Sequence, residues 1–332
     1  VCSSDLSVPV DAVTKPQRTF GKVGGDITSL YAQDTWTMKR LTISPGVRFD
    51  VFNAESQGGC RNAGRFTPAF CRDKTPNQPN WKDISPRVAV VYDLFGNTKT
   101  ALKGSVSKYM LPWAGGWAKR YDPFTTVTDV RTWRDLNGDD IAQDNEIGPS
   151  SNSKFGLSPE RRRDPELKRP SNVEYNVAID RQLTSSISVS GAWFKRSFSD
   201  FSKTDNLLIA PSDYAAVQVT NPLTNQPMTI YNLNRAKLGL SDVLDTTASD
   251  SDLNRREYSG FEATFNARLP LGASMFGGWW SDRDITVACD GDDPNTFIFC
   301  DQSVLGIPYR EGFYKNRYVG RTFIMPGQGM RK

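Results

Sequence analysis

The sequence predicts an all-β fold, an antiparallel transmembrane β-barrel fragment, and three observations predict it. Segments of eight to eleven residues alternate apolar and polar side chains with a period of two, the mark of a strand with one oily and one wet face. The links between those segments are alternately short and long. No apolar run, with 88–92 among the longest, approaches the ~18 residues that a membrane-spanning helix needs, although 38% of the 332 residues are apolar. A mean hydropathy of −0.51 fits this fold, because lipid-facing and lumen-facing residues alternate and dilute the average.

The strands are expected in pairs. The first pair is 30–38 and 41–51; in the second of these Leu41, Ile43, Val47, Phe49 and Val51 oppose Thr42, Ser44, Arg48 and Asp50. The next pair is 84–93 and 100–109. In 172–180 the alternation is clearest, with Val173, Tyr175, Val177 and Ile179 against Asn172, Glu174, Asn176 and Asp180, and 187–196 follows it. The last pair is 261–269, with Phe261, Ala263, Phe265, Ala267 and Leu269 against Glu262, Thr264, Asn266 and Arg268, and then 273–280.

Within pairs the links are Lys39-Arg40, 94–98, 183–185 and 270–272, which read as hairpin turns. Between pairs they span 53–83, 110–169, 197–256 and everything from 281 onward, and read as irregular loops. Loops of that length count against a compact soluble domain. They suit a barrel of the bacterial outer membrane, with short periplasmic turns and long extracellular loops. A soluble β-sandwich or lectin-like domain is the alternative, but its turns recur every ~8–12 residues and would not keep all long loops on one side. No fixed repeat supports a solenoid.

Cys60 and Cys71 lie in the first long loop and Cys289 and Cys300 in the fourth, on the side assigned to the exterior, where disulfides persist. Local pairing, Cys60 with Cys71 and Cys289 with Cys300, is favoured among three connectivities. Free thiols are the alternative, and a four-cysteine zinc site lacks the C-x2-C spacing. Aromatic residues gather near strand ends: Tyr31, Trp36, Phe49, Phe52, Tyr92, Phe95, Trp113, Trp117, Trp193, Trp279 and Trp280. Interfacial girdles would place them there, as would core packing.

The net charge of +4 is scattered, with no basic stripe for nucleic acid. Histidine is absent, which removes the commonest general base and the commonest transition-metal ligand. No Gly-rich phosphate loop follows a strand, and isolated loop carboxylates make no glycosidase pair, so no catalytic residue is assigned and no enzyme is expected.

Residues 1–10 show no secretory signal. The opening VCSSDL, 1–6, reads as a translated sequencing adapter, in which case Cys2 is not native. Residues 1–20 are assigned to a non-barrel segment, 21–310 to the barrel and 311–332 to a tail of doubtful origin in which the alternation is lost.

The segment LYAQDTWTMKRLTISPGVRFD, 30–50, resembles the strand-turn-strand unit of TonB-dependent receptor barrels, a Y-x-Q-D-x-W strand turning into one that ends G-x-R-x-D. ISPRVAVVYDLFGNTKTALKGSVSKY, DPELKRPSNVEYNVAIDRQL and NRREYSGFEATFNARLP are similar in order and spacing, and the Oar-like branch is the nearest match. That resemblance implies a plug domain and a TonB-interacting segment, neither of which is recognisable in the sequence. It also implies a barrel of about 22 strands, of which eight candidates would be roughly a third. Such a part cannot close on itself, so poor solubility is expected of it alone. The implied partners are the outer-membrane bilayer, the TonB complex through the missing plug, and an unidentified solute.

On the barrel reading Arg48, Asp50, Arg87, Asp93, Lys103, Glu174, Asp180, Arg196, Glu262 and Arg268 face the lumen, where they pair with neighbours, meet the plug or line a ligand path. Arg48 and Lys103 are turned inward because a cation at the lipid midplane costs ~2–4 kcal/mol. In the loop DLNGDDIAQDNE, Asp135, Asn137, Asp139 and Glu146 occupy the first, third, fifth and twelfth places of a calcium loop. Place six, where such a loop needs glycine, is Asp140, and a solvated acidic turn is the competing reading; no other cofactor is expected. The implied function is energy-coupled uptake of a solute captured by the extracellular loops. The alternative is a surface adhesin or carbohydrate-binding β module without transport.

Overall fold

The computed structural model describes residues 11–14, 22–112, 116–122, 124, 129–150, 155, 161–222, 225–238, 240–248 and 253–300. Residues 1–6, Trp113 and the 311–332 tail lie outside the described residues.

Eight strands form one sheet: β1 Val23–Gln33, continued as Trp36–Met38 on the same partner, β2 Leu41–Ser56, β3 Asn80–Asp93, β4 Thr100–Met110, β5 Ser171–Gln182, β6 Ile187–Ser199, β7 Asn254–Arg268 and β8 Ser274–Ala288. Each pairs antiparallel with its neighbours in sequence, in the order β8-β7-β6-β5-β4-β3-β2-β1. This up-and-down meander follows from the turns, since a short link can only return the chain antiparallel beside itself. At the β3–β4 turn the Asp93 carboxylate accepts the N–H groups of Gly96 at 3.0 Å and Thr98 at 2.8 Å. Gly96, at φ 70°, takes the left-handed conformation that this turn requires.

Register converts the alternation into faces. Leu41, Tyr92, Leu102, Ile179, Gly191, Ala263 and Trp279 stand opposite one another in a single row across β2 to β8. The next row on that face holds Ile43, Val90, Gly104, Val177, Trp193 and Phe261. Charged side chains of the opposite face are open as well, Lys103 at 47%, but the apolar side chains are open too: Ile84 is 60% exposed, Phe261 58% and Val177 48%. A water-soluble protein does the reverse, and an apolar surface running across eight strands exceeds the patches that soluble monomers tolerate. Lipid covers such a face.

Strands extend beyond the sequence expectation mainly at their loop ends. β1 begins at Val23 rather than 30, β3 at Asn80 rather than 84, and β7 at Asn254 rather than 261. The loops are also more ordered than their irregular sequence suggested. Gly59–Arg61 pairs with Phe70–Arg72, and Tyr214–Thr220 with Pro227–Leu233. Val243–Thr247 pairs antiparallel with Ser202–Asn206 and parallel with Arg161–Arg163, which joins the loops after β4 and β6. The hydrophobic core sits on the loop side, where Phe52, Ala54, Trp81, Trp117, Ala118 and Leu167 pack together. The Phe52 and Trp81 rings stack at 5.5 Å, and Trp117 meets Trp81 edge-on at 5.2 Å. Phe52 and Trp117 are therefore core residues and not members of an interfacial girdle. Tyr31, Trp36, Tyr92, Phe95, Trp279 and Trp280 remain exposed.

Candidate functional site

The face opposite the apolar rows is polar. Register places all ten charged residues expected there on it: Arg48 and Asp50 from β2, Arg87 and Asp93 from β3, Lys103 from β4, Glu174 and Asp180 from β5, Arg196 from β6, and Glu262 and Arg268 from β7. Parity is the reason, because each stands an odd number of residues from an outward apolar neighbour on its own strand.

Their partners differ. Arg196 pairs with Glu174 directly across β5–β6, and Lys103 with Asp180 on the diagonal across β4–β5. Arg48 donates to Asp50 at 2.8 Å and to Ser29 at 2.8 Å, while Ser29 donates to Asp50 at 2.5 Å. Asp93 is engaged by its turn, and Arg87 lies over the Tyr109 ring at 5.7 Å. Glu262 stands opposite Ala192 and Trp280, and Arg268 closes β7 beside the last turn. Arg196–Glu174 and Lys103–Asp180 are cross-strand pairs, the unit that stiffens a sheet.

Above this face the loops interlock. Arg169 donates to Asp83 at 2.9 Å and to the Leu111 carbonyl at 2.9 Å, with its guanidinium 5.5 Å from the Phe52 ring. Asp245, fully buried, accepts from Tyr121 at 3.0 Å and Thr204 at 2.8 Å, with Arg161 at 3.5 Å. Burial, and then the charge and hydrogen bond of Asp245, push the Tyr121 phenol well above its ordinary range. Lys203 reaches Asp290 at 2.7 Å, and the Asp292 carboxylate takes the Asn206 N–H at 2.9 Å, so the segment after β8 is tied to the loop before β7.

Cys60 stands directly opposite Cys71 and is bonded to it, and Cys289 is bonded to Cys300, the local connectivity. In the acidic loop, Asp135 accepts N–H groups from Asn137, Gly138 and Asp140, and Glu146 accepts from Leu136 and Gln143. The Asp140 N–H is the chief cause that holds the Asp135 carboxyl below its usual range, and the Leu136 N–H does the same for Glu146. Asp139 accepts from Ile141 at 2.8 Å and Gln143 at 2.6 Å, and Asn137 donates to it at 2.9 Å. Asp140, at place six, adopts φ 57° without being glycine. Among the described residues no three acidic groups gather into a cluster that could hold a metal ion.

Sequence reasoning missed Asp83, Tyr109 and Arg169. Asp83 continues the parity of Ser85 and Arg87, so extending β3 by one pleat would have found it. Arg169 lies in a loop, where no period marks it.

A sequence model of the family described as Outer membrane beta barrel domain matches residues 8–280. The chain belongs to that family. This outer-membrane β-barrel is similar to the siderophore receptor PiuA from Acinetobacter baumannii, at 12% identity and a TM-score of 0.43 over 84% of this chain and 29% of that one. It is also similar to the ferric-catecholate import receptor Fiu from E. coli K12, at 11% identity and a TM-score of 0.40 over 80% and 29%, and to the outer membrane transporter YddB from Escherichia coli, at 10% and 0.39 over 82% and 35%. At such scores these likenesses carry no functional argument. Short stretches also match amidophosphoribosyltransferases. The match is 42% identical over 74 residues in Escherichia coli K12 and 82% over 28 residues in Haemophilus influenzae, 21% and 8% of this chain. The chain spans 15% and 6% of those two enzymes and about a third or less of the receptors.

Proposed function

We propose that this outer-membrane barrel is the wall and loop cap of a TonB-dependent receptor that captures a solute on its extracellular side and passes it to the periplasm. The observation that carries the reading is the inversion of the sheet: apolar rows lie open on one face, and ten charged residues share the other. A polar interior is a route for a hydrophilic solute, and cross-linked loops above it form a structured entrance. Energy coupling rests on the segments at 30–50, 84–109, 164–183 and 254–270, which carry the family resemblance.

Fractionation and capture test it. The native protein should sediment with the outer membrane, require detergent for extraction, and be retained by the immobilised periplasmic domain of TonB. Release as a detergent-free monomer that TonB does not retain would favour a surface adhesin or carbohydrate-binding module instead.

A further inference from the structure

Toward the loops the apolar face gives way to cations, and it does so along a slant. Lys195 on β6 and Arg283 on β8 flank Ser259 in one outward row, which Tyr175 and Val88 continue on β5 and β3. Lys108 on β4, opposite Val173, stands one outward place nearer the loops than that row, and Lys82 on β3, opposite Val51, three places nearer. The apolar stretch shifts the same way, ending at Phe261 on β7 but at Ile84 on β3.

Three outward places are six residues, a rise of ~20 Å, set against five strand spacings of ~4.8 Å between β8 and β3. The line of cations therefore crosses the rows at about 40°, within the ~35–45° by which barrel strands lean from the membrane normal. Rows perpendicular to leaning strands lean from the membrane plane by that same angle. Lys82, Lys108, Lys195 and Arg283 thus lie level with one another, at the loop-side edge of the hydrocarbon.

Their charge is largely uncompensated on that face. Lys195 meets Glu257 at 3.5 Å, whereas Lys82, Lys108 and Arg283 form no ion pair among the described residues. Glu55 is held by Lys74 at 2.7 Å, and Asp26 and Arg255 stand farther toward the loops. At such an edge a long cationic side chain keeps its stem in the apolar layer and extends its charge to the headgroups. A level series of these charges complements phosphate.

We propose that Lys82, Lys108, Lys195 and Arg283 form a belt on the outer surface of the wall that holds the phosphate groups of anionic lipids in the loop-side leaflet. The belt requires only that lipid covers the apolar face, and it goes beyond uptake because no transported solute is involved.

Spin-labelled phosphatidic acid and phosphatidylcholine of equal chain length are the probes, each added to phosphatidylcholine vesicles that hold the reconstituted protein. The motionally restricted fraction of each label reads its affinity for the protein surface. Phosphatidic acid should be preferred by about threefold or more at low salt, and the preference should shrink in about 0.5 M salt. Changing all four residues to glutamine should remove most of the preference, and Lys195→Gln with Arg283→Gln a part of it. Arg134→Gln with Arg235→Gln, which takes two cations from the loops instead, should leave it unchanged. No preference in the wild type, a preference kept by the fourfold variant, or equal losses in the two double variants would overturn the belt and leave the barrel standing. If the wild type restricts neither label, lipid does not cover the apolar face, and the barrel reading falls with the belt.

Discussion

Arg169 and Asp83, separated by 86 residues, meet at 2.9 Å with side chains only 6% and 9% exposed. The loop after β4 is thereby fastened to the third strand of the wall, and the guanidinium lies 5.5 Å from Phe52 and 5.9 Å from Trp81. Removing one member of a buried pair strands the other charge. Arg169→Leu should cost about 3–5 kcal/mol in urea unfolding followed by tryptophan fluorescence, and Asp83→Leu added to it should recover part of that loss. A single variant within about 1 kcal/mol of wild type would show that water already reaches the pair.

Val177 and Asn176 are adjacent in β5 and face opposite ways. Val177→Arg should lose about 2–4 kcal/mol of stability in liposomes, and Asn176→Arg much less, because one cation is forced into hydrocarbon and the other enters the wet face. Equal costs would mean that lipid does not cover the Val177 face.

The Cys60–Cys71 bond closes a ring of about a dozen residues, which in the chain-entropy account removes roughly 3 kcal/mol from the opened state. Its effect is local to the loop after β2. With both cysteines changed to serine, an external protease should cut within 61–70 faster, while the strands keep their protection. Unchanged cleavage would assign the order of this loop to the Gly59–Arg61 and Phe70–Arg72 pairing alone.

Asp292 and Asp164 carry opposite pH signs. Burial, joined by the neighbouring Asp205, holds the Asp292 carboxyl above its usual 3.8 against the pull of the Asn206 N–H and Lys203. A carboxyl raised on folding binds its proton more tightly in the folded chain, so docking of the 289–300 segment should strengthen as pH falls through that raised value. The Thr246 hydroxyl and then the Glu166 N–H hold Asp164 below 3.8, so its contribution is present above that value and is lost as pH falls below it. Hydrogen exchange from about pH 7 to about pH 3 should show 289–300 gaining protection before 161–169 loses it. Asp292→Asn should abolish the gain.

Much of the wall was legible in the sequence for a local reason. A pleat sends successive side chains to opposite sides, so Val173, Tyr175, Val177 and Ile179 declare their face without reference to any partner. Turns of a few residues then force each strand beside the next, and the meander follows. Asp93 shows the limit: parity set its face, but the turn it caps with both oxygens could be seen only once Gly96 and Thr98 were placed.

What the amino-acid order alone determined was the strands, their faces and the side on which the long loops emerge. The tertiary structure decided which loop residues meet: Arg169 with Asp83, Asp164 with Thr246, and Asp245 with Tyr121 and Thr204. It also decided that β3 and β4 part above Arg87. The difference is physical. Strand pairing here joins neighbours in sequence through a repeating backbone geometry, whereas the loop contacts join residues tens of positions apart through individual charges and hydroxyls that no repeat announces.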